Sequence, residues 1–436
     1  LKFENAQPST INRQPSTVNS QQSTINRQPS TVNRQPSTVN RQLIMTKIKR
    51  HREQFPALAN KSYFNYGGQG PMPQRALDAI NEAQIYIQKI GPFGSEVNTW
   101  IRQQTKITRA AIATQLDVSP DTITITEDVT VGCNIAMWGV SWKNGDHILL
   151  SDCEHPGIVA IAQEISRRFD VEVSTCPLMS TLNEGDSVAV IAQHLRPSTR
   201  MVVLSHILWN TGQVLPLKKI SQLCRDNSVF LMIDAAQSVG LLPLNLQELG
   251  VDFYAFTGHK WLCGPGGVGG LYVRPEVRDL LQPTFIGWRS VVTNGQNIPI
   301  GWHPSGIRYE VATSNYPLYV GLSEAIAVQE EWGTKEERYQ QILSNSEYLW
   351  NSLRQLPSVK CLLANQPPQS GLVSFQLVNQ KPEDTDNLVN SLESQGFLTR
   401  TILDPNCVRA CVHYFTLKEE IDQLVEAIQR YQHSTK

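Results

Sequence analysis

VFLMIDAAQSVGLLPLNLQELGVDFYAFTGHK, residues 229–260, decides the fold. Its two apolar runs, VFLMIDA and VDFYAF, are too continuous for a half-exposed strand, so each reads as a strand buried on both faces. The same grammar extends outward. Between residues 121 and 275, TITIT, HILLSD, VEVSTC, RMVVLSH and GLYV alternate with helix-like stretches. Strands buried on both faces and separated by helices imply an α/β fold around a mainly parallel sheet. In such sheets ligands bind at the carboxyl ends of the strands, and the polar clusters of this chain fall there. Beyond the loop-rich stretch GWRSVVTNGQNIPIGWHPSG, a long helical segment is expected from Leu318 to about Leu356. VKCLLA, GLVSFQLV, FLTRTI and VRACVHY then read as strands, with helices around residues 382–395 and 416–433. These form a smaller α+β unit. The expected domains are therefore an N-terminal arm and large domain over residues 45–315, and a connecting helix with a small C-terminal domain over 316–436.

Residues 7–41 stand apart as five near-copies of a heptapeptide, QPSTINR in its first form. Each copy offers one bulky apolar residue and most carry a proline, which argues against a coiled coil. Residues 1–44 are expected to be disordered, since so little apolar surface cannot offset the entropy of ordering. The first methionine, Met45, follows the repeat directly, which suggests that translation begins there. Lys and Arg number 38 against 39 Asp and Glu, a balance without the basic footprint of a nucleic-acid or membrane-surface binder. No apolar run is long enough to span a bilayer. The eight cysteines are dispersed in apolar runs, as reduced core thiols of a cytoplasmic protein would be. Cys407, Cys411 and His413 lack a fourth ligand, so no metal site is expected.

The sharpest chemical signal is FTGHKWLCGPGGVGGLYV, residues 256–273. Lys260, among Gly258, His259 and a strand end, can form an imine with an aldehyde cofactor, and Thr257 and His259 can bind a phosphate. Gly264, Gly266 and Gly269 match a dinucleotide fingerprint literally, but a strand and not a helix follows them. Asp234 ends the strand VFLMIDA, where a carboxylate can pair with a protonated pyridine nitrogen, and Gln237 can donate to a ring phenolate. His155, in SDCEHPG, can stack on such a ring. Thr130, in ITEDVTVGCN, opens a helix whose N-terminus can hold phosphate.

In this order, phosphate loop, stacking histidine, D-x-x-Q and T-x-H-K resemble the class V aminotransferase family, which includes the cysteine desulfurases. The resemblance spans about residues 60–432. It implies a fold-type I pyridoxal 5'-phosphate (PLP) enzyme, normally a homodimer, in which Lys260 forms the Schiff base. It further implies that Asp234 meets the pyridine nitrogen, Gln237 the phenolate oxygen and His155 the ring face. Thr130, Thr257 and His259 would bind the phosphate, and Thr313, in RYEVATSN, would reach the phosphate in the partner subunit. His206, in LSHILWN, stands where many relatives carry asparagine and is taken as a further cofactor contact.

VRACVHYFT resembles the family segment whose arginine grips the substrate carboxylate, which points to Arg409 as a bidentate clamp, with Arg400 in FLTRTI as a second candidate. Family desulfurases carry a nucleophilic cysteine on a mobile loop hereabouts, whereas here only the short link TILDPNCV joins the two arginines. YFNYGGQGPMP, SHILWNTGQVLP and the close arginine pair resemble instead the cysteine/cystine C–S lyase branch. That branch implies β-elimination to pyruvate, ammonia and a persulfide or sulfide, which a sulfur-acceptor protein could receive, as in iron–sulfur cluster assembly. The alternatives are a desulfurase yielding alanine, an epimerase or transaminase, and a PLP-binding regulator without turnover.

Overall fold

The structure, a computed structural model, describes residues 38–378 and 381–434. The expectation of disorder over residues 1–37 lies outside the described residues. From Thr38 the expectation is corrected, because a helix runs Thr38–Arg52 and takes in the end of the last repeat copy. The reason is compositional: no proline occurs between Pro36 and Pro56, so nothing interrupts the hydrogen-bond ladder. The helix is fastened through its C-terminal half. Ile48 is buried, His51 Nε2 lies 2.9 Å from the Tyr414 hydroxyl, and Arg52 pairs with Glu420 at 2.6 Å.

All seven runs expected as strands between residues 121 and 275 form one sheet. After the two-residue strand β1 (Ser62–Tyr63), these are β2 (Ile123–Thr126), β3 (His147–Ser151), β4 (Glu172–Cys176), β5 (Thr199–Ser205), β6 (Phe230–Asp234), β7 (Phe253–Thr257) and β8 (Gly269–Val273). Their order is β2-β8-β7-β6-β5-β3-β4. The neighbours from β7 through β6, β5 and β3 to β4 are parallel, and β8 runs antiparallel to both β7 and β2. Chain order reverses between β3 and β5, so a crevice opens there at the carboxyl ends. β2, β3, β7 and β8 are buried along their whole length, as strands covered by helices on both faces must be.

Two expectations about the following segment are corrected. The loop-rich stretch contains an antiparallel hairpin, β9 (Val291–Thr293) with β10 (Pro299–Trp302), whose turn is held by Asn294 Oδ1 accepting from the Gln296 and Ile298 amides. The single long helix is two, Tyr316–Trp332 and Lys335–Arg354. Gly333 ends the first, and Thr334 caps the second in a reciprocal box with Glu337, so a stop and a start signal stand side by side.

The smaller sheet orders β11 (Val359–Cys361), β12 (Leu372–Leu377), β15 (Asn406–Cys411) and β14 (Arg400–Leu403), all antiparallel. FLTRTI, expected as one strand, divides at Thr399: β13 (Phe397–Leu398) leaves the sheet and pairs in parallel with β1. Helices Pro382–Ser394 and Lys418–Ser434 cover this sheet, and Phe64 contributes to its core.

Candidate active site

A cavity of about 260 Å³ opens at the carboxyl ends of β3, β5, β6 and β7. The floor carries Asp234 and Ser205 on the neighbouring strands β6 and β5, with the buried Glu154 hydrogen-bonded to Ser205. Asp234 is the last residue of β6; one carboxylate oxygen accepts the Ala236 amide at 2.9 Å. Burial pushes its pKa up, and that amide, Lys260 and His155 oppose the push. Ser205, directly across from Asp234 on β5, donates to Glu154 at 2.7 Å, and Ser151 donates to the other Glu154 oxygen. Burial pushes the Glu154 carboxyl up to about 7 against those two hydroxyls.

Lys260 follows β7 and lines the cavity. Desolvation draws its ammonium down to about 8; Asp234 resists, while Arg409 and Arg400 add to the fall. A lysine so placed is neutral often enough to act as a nucleophile or base. His155 caps the helix Pro156–Phe169, its Nδ1 accepting the Gly157 amide at 3.2 Å, and its ring meets Trp209 edge-on. At one end, Thr257 Oγ1 and His259 Nδ1 lie 2.6 Å apart beside Thr130, the second residue of the helix Val129–Trp138. A hydroxyl pair, an imidazole and a helix N-terminus form an anion site. Gln237 lines the wall with its amide held at both ends, Nε2 donating to the Gly67 carbonyl and Oε1 accepting from Trp261 Nε1, each at 2.9 Å.

The small sheet supplies cations. Arg400 lines the cavity and stands opposite Arg409 in the β14–β15 register. Arg409 is 1 % exposed; Nη1 donates to the Trp209 carbonyl at 2.7 Å, whereas Nε and Nη2 are buried without an oxygen or nitrogen acceptor, the weakly accepting Cys411 thiol being the group that adjoins the guanidinium. Two orphaned donors on a buried guanidinium match a carboxylate held at two points.

Of the site residues read from sequence, Lys260, Asp234, Gln237, His155, Thr130, Thr257, His259 and Arg400 converge on this cavity, and Arg409 lies against it through Trp209. His206 does not line it, which corrects that assignment. Strand alternation turns its ring to the other face, where Nδ1 lies 2.8 Å from the Tyr254 hydroxyl and burial lowers its pKa to about 3. Ser205 takes the inward position instead, and alternation along RMVVLSH carried that signal. Thr313 is exposed outside the cavity. Glu154 and Trp209 were missed although both lie in quoted segments; their neighbours His155 and His206 drew the attention. Among the described residues, no group of three or more His, Cys, Asp or Glu side chains is placed to hold a metal.

The donor set fits PLP. It pairs an amine for an aldehyde, a buried carboxylate for a pyridine nitrogen, an amide N–H for a ring hydroxyl and an anion pocket for a phosphate. The family pattern described as Aminotransferase class-V matches residues 62–424. The chain belongs to this family. Its fold is that of the fold-type I PLP enzymes. Among solved structures, the cystine C–S lyase C-DES in complex with its reaction product cysteine persulfide is 51 % identical, with a TM-score of 0.84 over 86 % of this chain and 99 % of that one. A C-DES mutant with glycine covalently linked to the PLP cofactor is 50 % identical, with the same TM-score over 86 % and 98 %. A probable cysteine desulfurase of Methanothermobacter thermautotrophicus is 24 % identical over 89 % of this chain and 98 % of its own length. No helix among the described residues is long and apolar enough to cross a membrane.

Proposed function

We propose that this class-V family member is a PLP-dependent C–S lyase that cleaves cystine or cysteine by β-elimination. The observation that carries this choice is the state of the thiols. All eight cysteines are buried and none lines the cavity; burial pushes Cys407 up to about 12 and raises Cys411 despite neighbouring Arg409. A desulfurase needs a protein thiolate at the substrate sulfur, whereas elimination needs none. Likeness to C-DES, bound to cysteine persulfide, supports the same reading.

PLP, when bound, supplies a sink for the electron pair left when the Cα–H bond of an amino acid breaks. Arg409 takes the substrate carboxylate on Nε and Nη2, with Arg400 beside it at the mouth. Lys260 would anchor the cofactor, and its amine, once displaced by substrate, would accept the Cα proton. Asp234 would pair with the pyridine nitrogen and keep it protonated. Gln237 would donate its second amide proton to the ring oxygen. His155 would cover the ring, and Thr130, Thr257 and His259 would hold the phosphate. The C–S pair leaves with sulfur, as a persulfide anion from cystine, and the three-carbon fragment hydrolyses to pyruvate and ammonia. A sulfur-acceptor protein, as in iron–sulfur cluster assembly, is the destination we assign to the persulfide.

We place the boundary between large and small domains near residues 315 and 316. Two copies are proposed to pair through the hairpin region, where Phe285, Trp288 and Ile300 are each more than half exposed, bringing Thr313 to the partner's phosphate. The test of function is product analysis with cystine and with cysteine. Pyruvate supports the lyase; alanine with a protein-bound persulfide establishes the desulfurase in its place.

A further inference from the structure

Trp261 is a fully buried group that the proposed chemistry does not use, and it is braced on several sides. Its ring stacks near-parallel with Tyr66 and His413, at centroid distances of 5.9 and 5.5 Å. Its carbonyl accepts from Gln329 Nε2 at 2.9 Å and from His413 Nε2 at 3.1 Å. A side chain at Gly371 would come within 2.6 Å of the indole, so that backbone lies directly against the ring. Helix Tyr316–Trp332 therefore holds the Trp261 main chain, while His413 and Gly371 from the small domain and Tyr66 from the N-terminal arm bear on its ring, next to Lys260.

That side chain aims its one polar atom at the cofactor wall. Indole nitrogen can only donate, so its 2.9 Å contact requires the Gln237 oxygen on that side. The Gly67 carbonyl can only accept, so it requires the Gln237 nitrogen on the other. Both partners select one orientation. Flipping the amide would set two donors against each other at Trp261 and two acceptors at Gly67, all of them buried. Nε2 keeps one proton beyond the bond to Gly67. Gly67 itself packs against the Arg409 guanidinium, where an added methyl would meet Cζ at 2.9 Å.

We propose that Trp261 is a positioning residue of the cofactor site: its indole N–H locks the Gln237 amide so that an N–H, and never the carbonyl, is presented to the ring oxygen of PLP. This rests on the role given to Gln237 above. A donor at the ring oxygen favours its ionised form, so loss of the donor moves the ionisation of the bound cofactor to higher pH.

The experiment follows the absorption band of the PLP-loaded protein against pH in single and double variants. Gln237→Ala should raise the midpoint by about one pH unit, the scale of a hydrogen bond to a charged group. Trp261→Phe, which keeps the stacking and removes the N–H, should raise it comparably, and Trp261→His should raise it less. The double variant Trp261→Phe/Gln237→Ala should shift no further than Gln237→Ala alone, because the tryptophan acts only through the amide. A purely structural tryptophan would add its own effect, and that additivity overturns the proposal. So does a Trp261→Phe midpoint equal to the parent's while Gln237→Ala shifts. If Gln237→Ala leaves the band in place, the role of Gln237 fails, and that of Trp261 falls with it. Should Trp261→Phe lose the fold, Trp261→His measured against Gln237→Ala decides between the same outcomes.

Discussion

The two sheets deliver charge to one cavity in opposite ways. On the large sheet the acidic and anion-binding groups have partners within the same domain: Asp234 has the Ala236 amide, Glu154 has two serines, and Thr257 has His259. On the small sheet Arg400 and Arg409 face each other across an antiparallel pair, and two Arg409 donors are buried unpaired. Like charges in register are unfavourable, as are orphaned buried donors, so the small-sheet wall is strained until an anion arrives. The contrast teaches a division of labour. One wall is finished by the chain itself for a permanent cofactor, and the other is left incomplete for a substrate that comes and goes.

The largest break in this picture should come from Lys260→Ala. Without the amine neither covalent attachment nor the Cα base survives, so turnover should be abolished and the covalent absorption band lost; a variant that keeps the band removes the large-sheet assignment. Next, Arg409→Ala should lower kcat/KM by about 30-fold to several thousand-fold while PLP affinity holds, corresponding to about 2–5 kcal/mol for a buried charge pair. Arg400→Ala, whose side chain is exposed, should cost about fivefold. Equal losses of cofactor and substrate binding would erase the distinction between the walls.

A subtler test uses the amine of Lys260. Its folded pKa is lowered to about 8, so the neutral, nucleophilic form is depleted below that pH and dominant above it. Covalent PLP uptake by cofactor-free protein should therefore rise with pH and level off above about 8. A rate still climbing near pH ~10 would mark an ordinary lysine. The smallest effect is expected from replacing Cys407 and Cys411 together by Ser. Pyruvate formation from cystine should stay within about threefold, the loss reflecting two buried hydroxyls and not chemistry. A folded, PLP-loaded double variant that makes no pyruvate would show that a thiol belongs to the substrate wall after all.

The large sheet was legible because fully buried parallel strands are written as uninterrupted apolar runs, and functional residues sit where those runs stop. All seven runs became strands, and Asp234, His155 and Lys260 stand at or just beyond their carboxyl ends. What failed had a different physical origin. His206 was read by its chemistry while strand parity, which turned it away, was not applied. The break at Gly333 was hidden inside a continuous helical pattern, although the Thr334 and Glu337 box announced a new start. The parallel pairing of β1 with β13 joins residues far apart in sequence, and two-residue strands carry no periodicity from which to infer a partner. Glu154 owes its environment to Ser151, three residues back, and to the distant Ser205, so the local pattern carried only half of it.

That pairing of β1 with β13 has a consequence for biosynthesis. Phe64, just past β1, is fully buried in the small-sheet core beside Phe397 and Val373, and burial of such a side chain is worth about 1.5–3 kcal/mol. A ribosome releases Phe64 early and Phe397 near the end, so this core cannot close while the chain is still emerging. The nascent large sheet can assemble first, but residues 62–64 must wait for their partners. For most of translation an apolar segment next to the cofactor site is therefore uncovered, and it is a stretch on which a chaperone would have time to act.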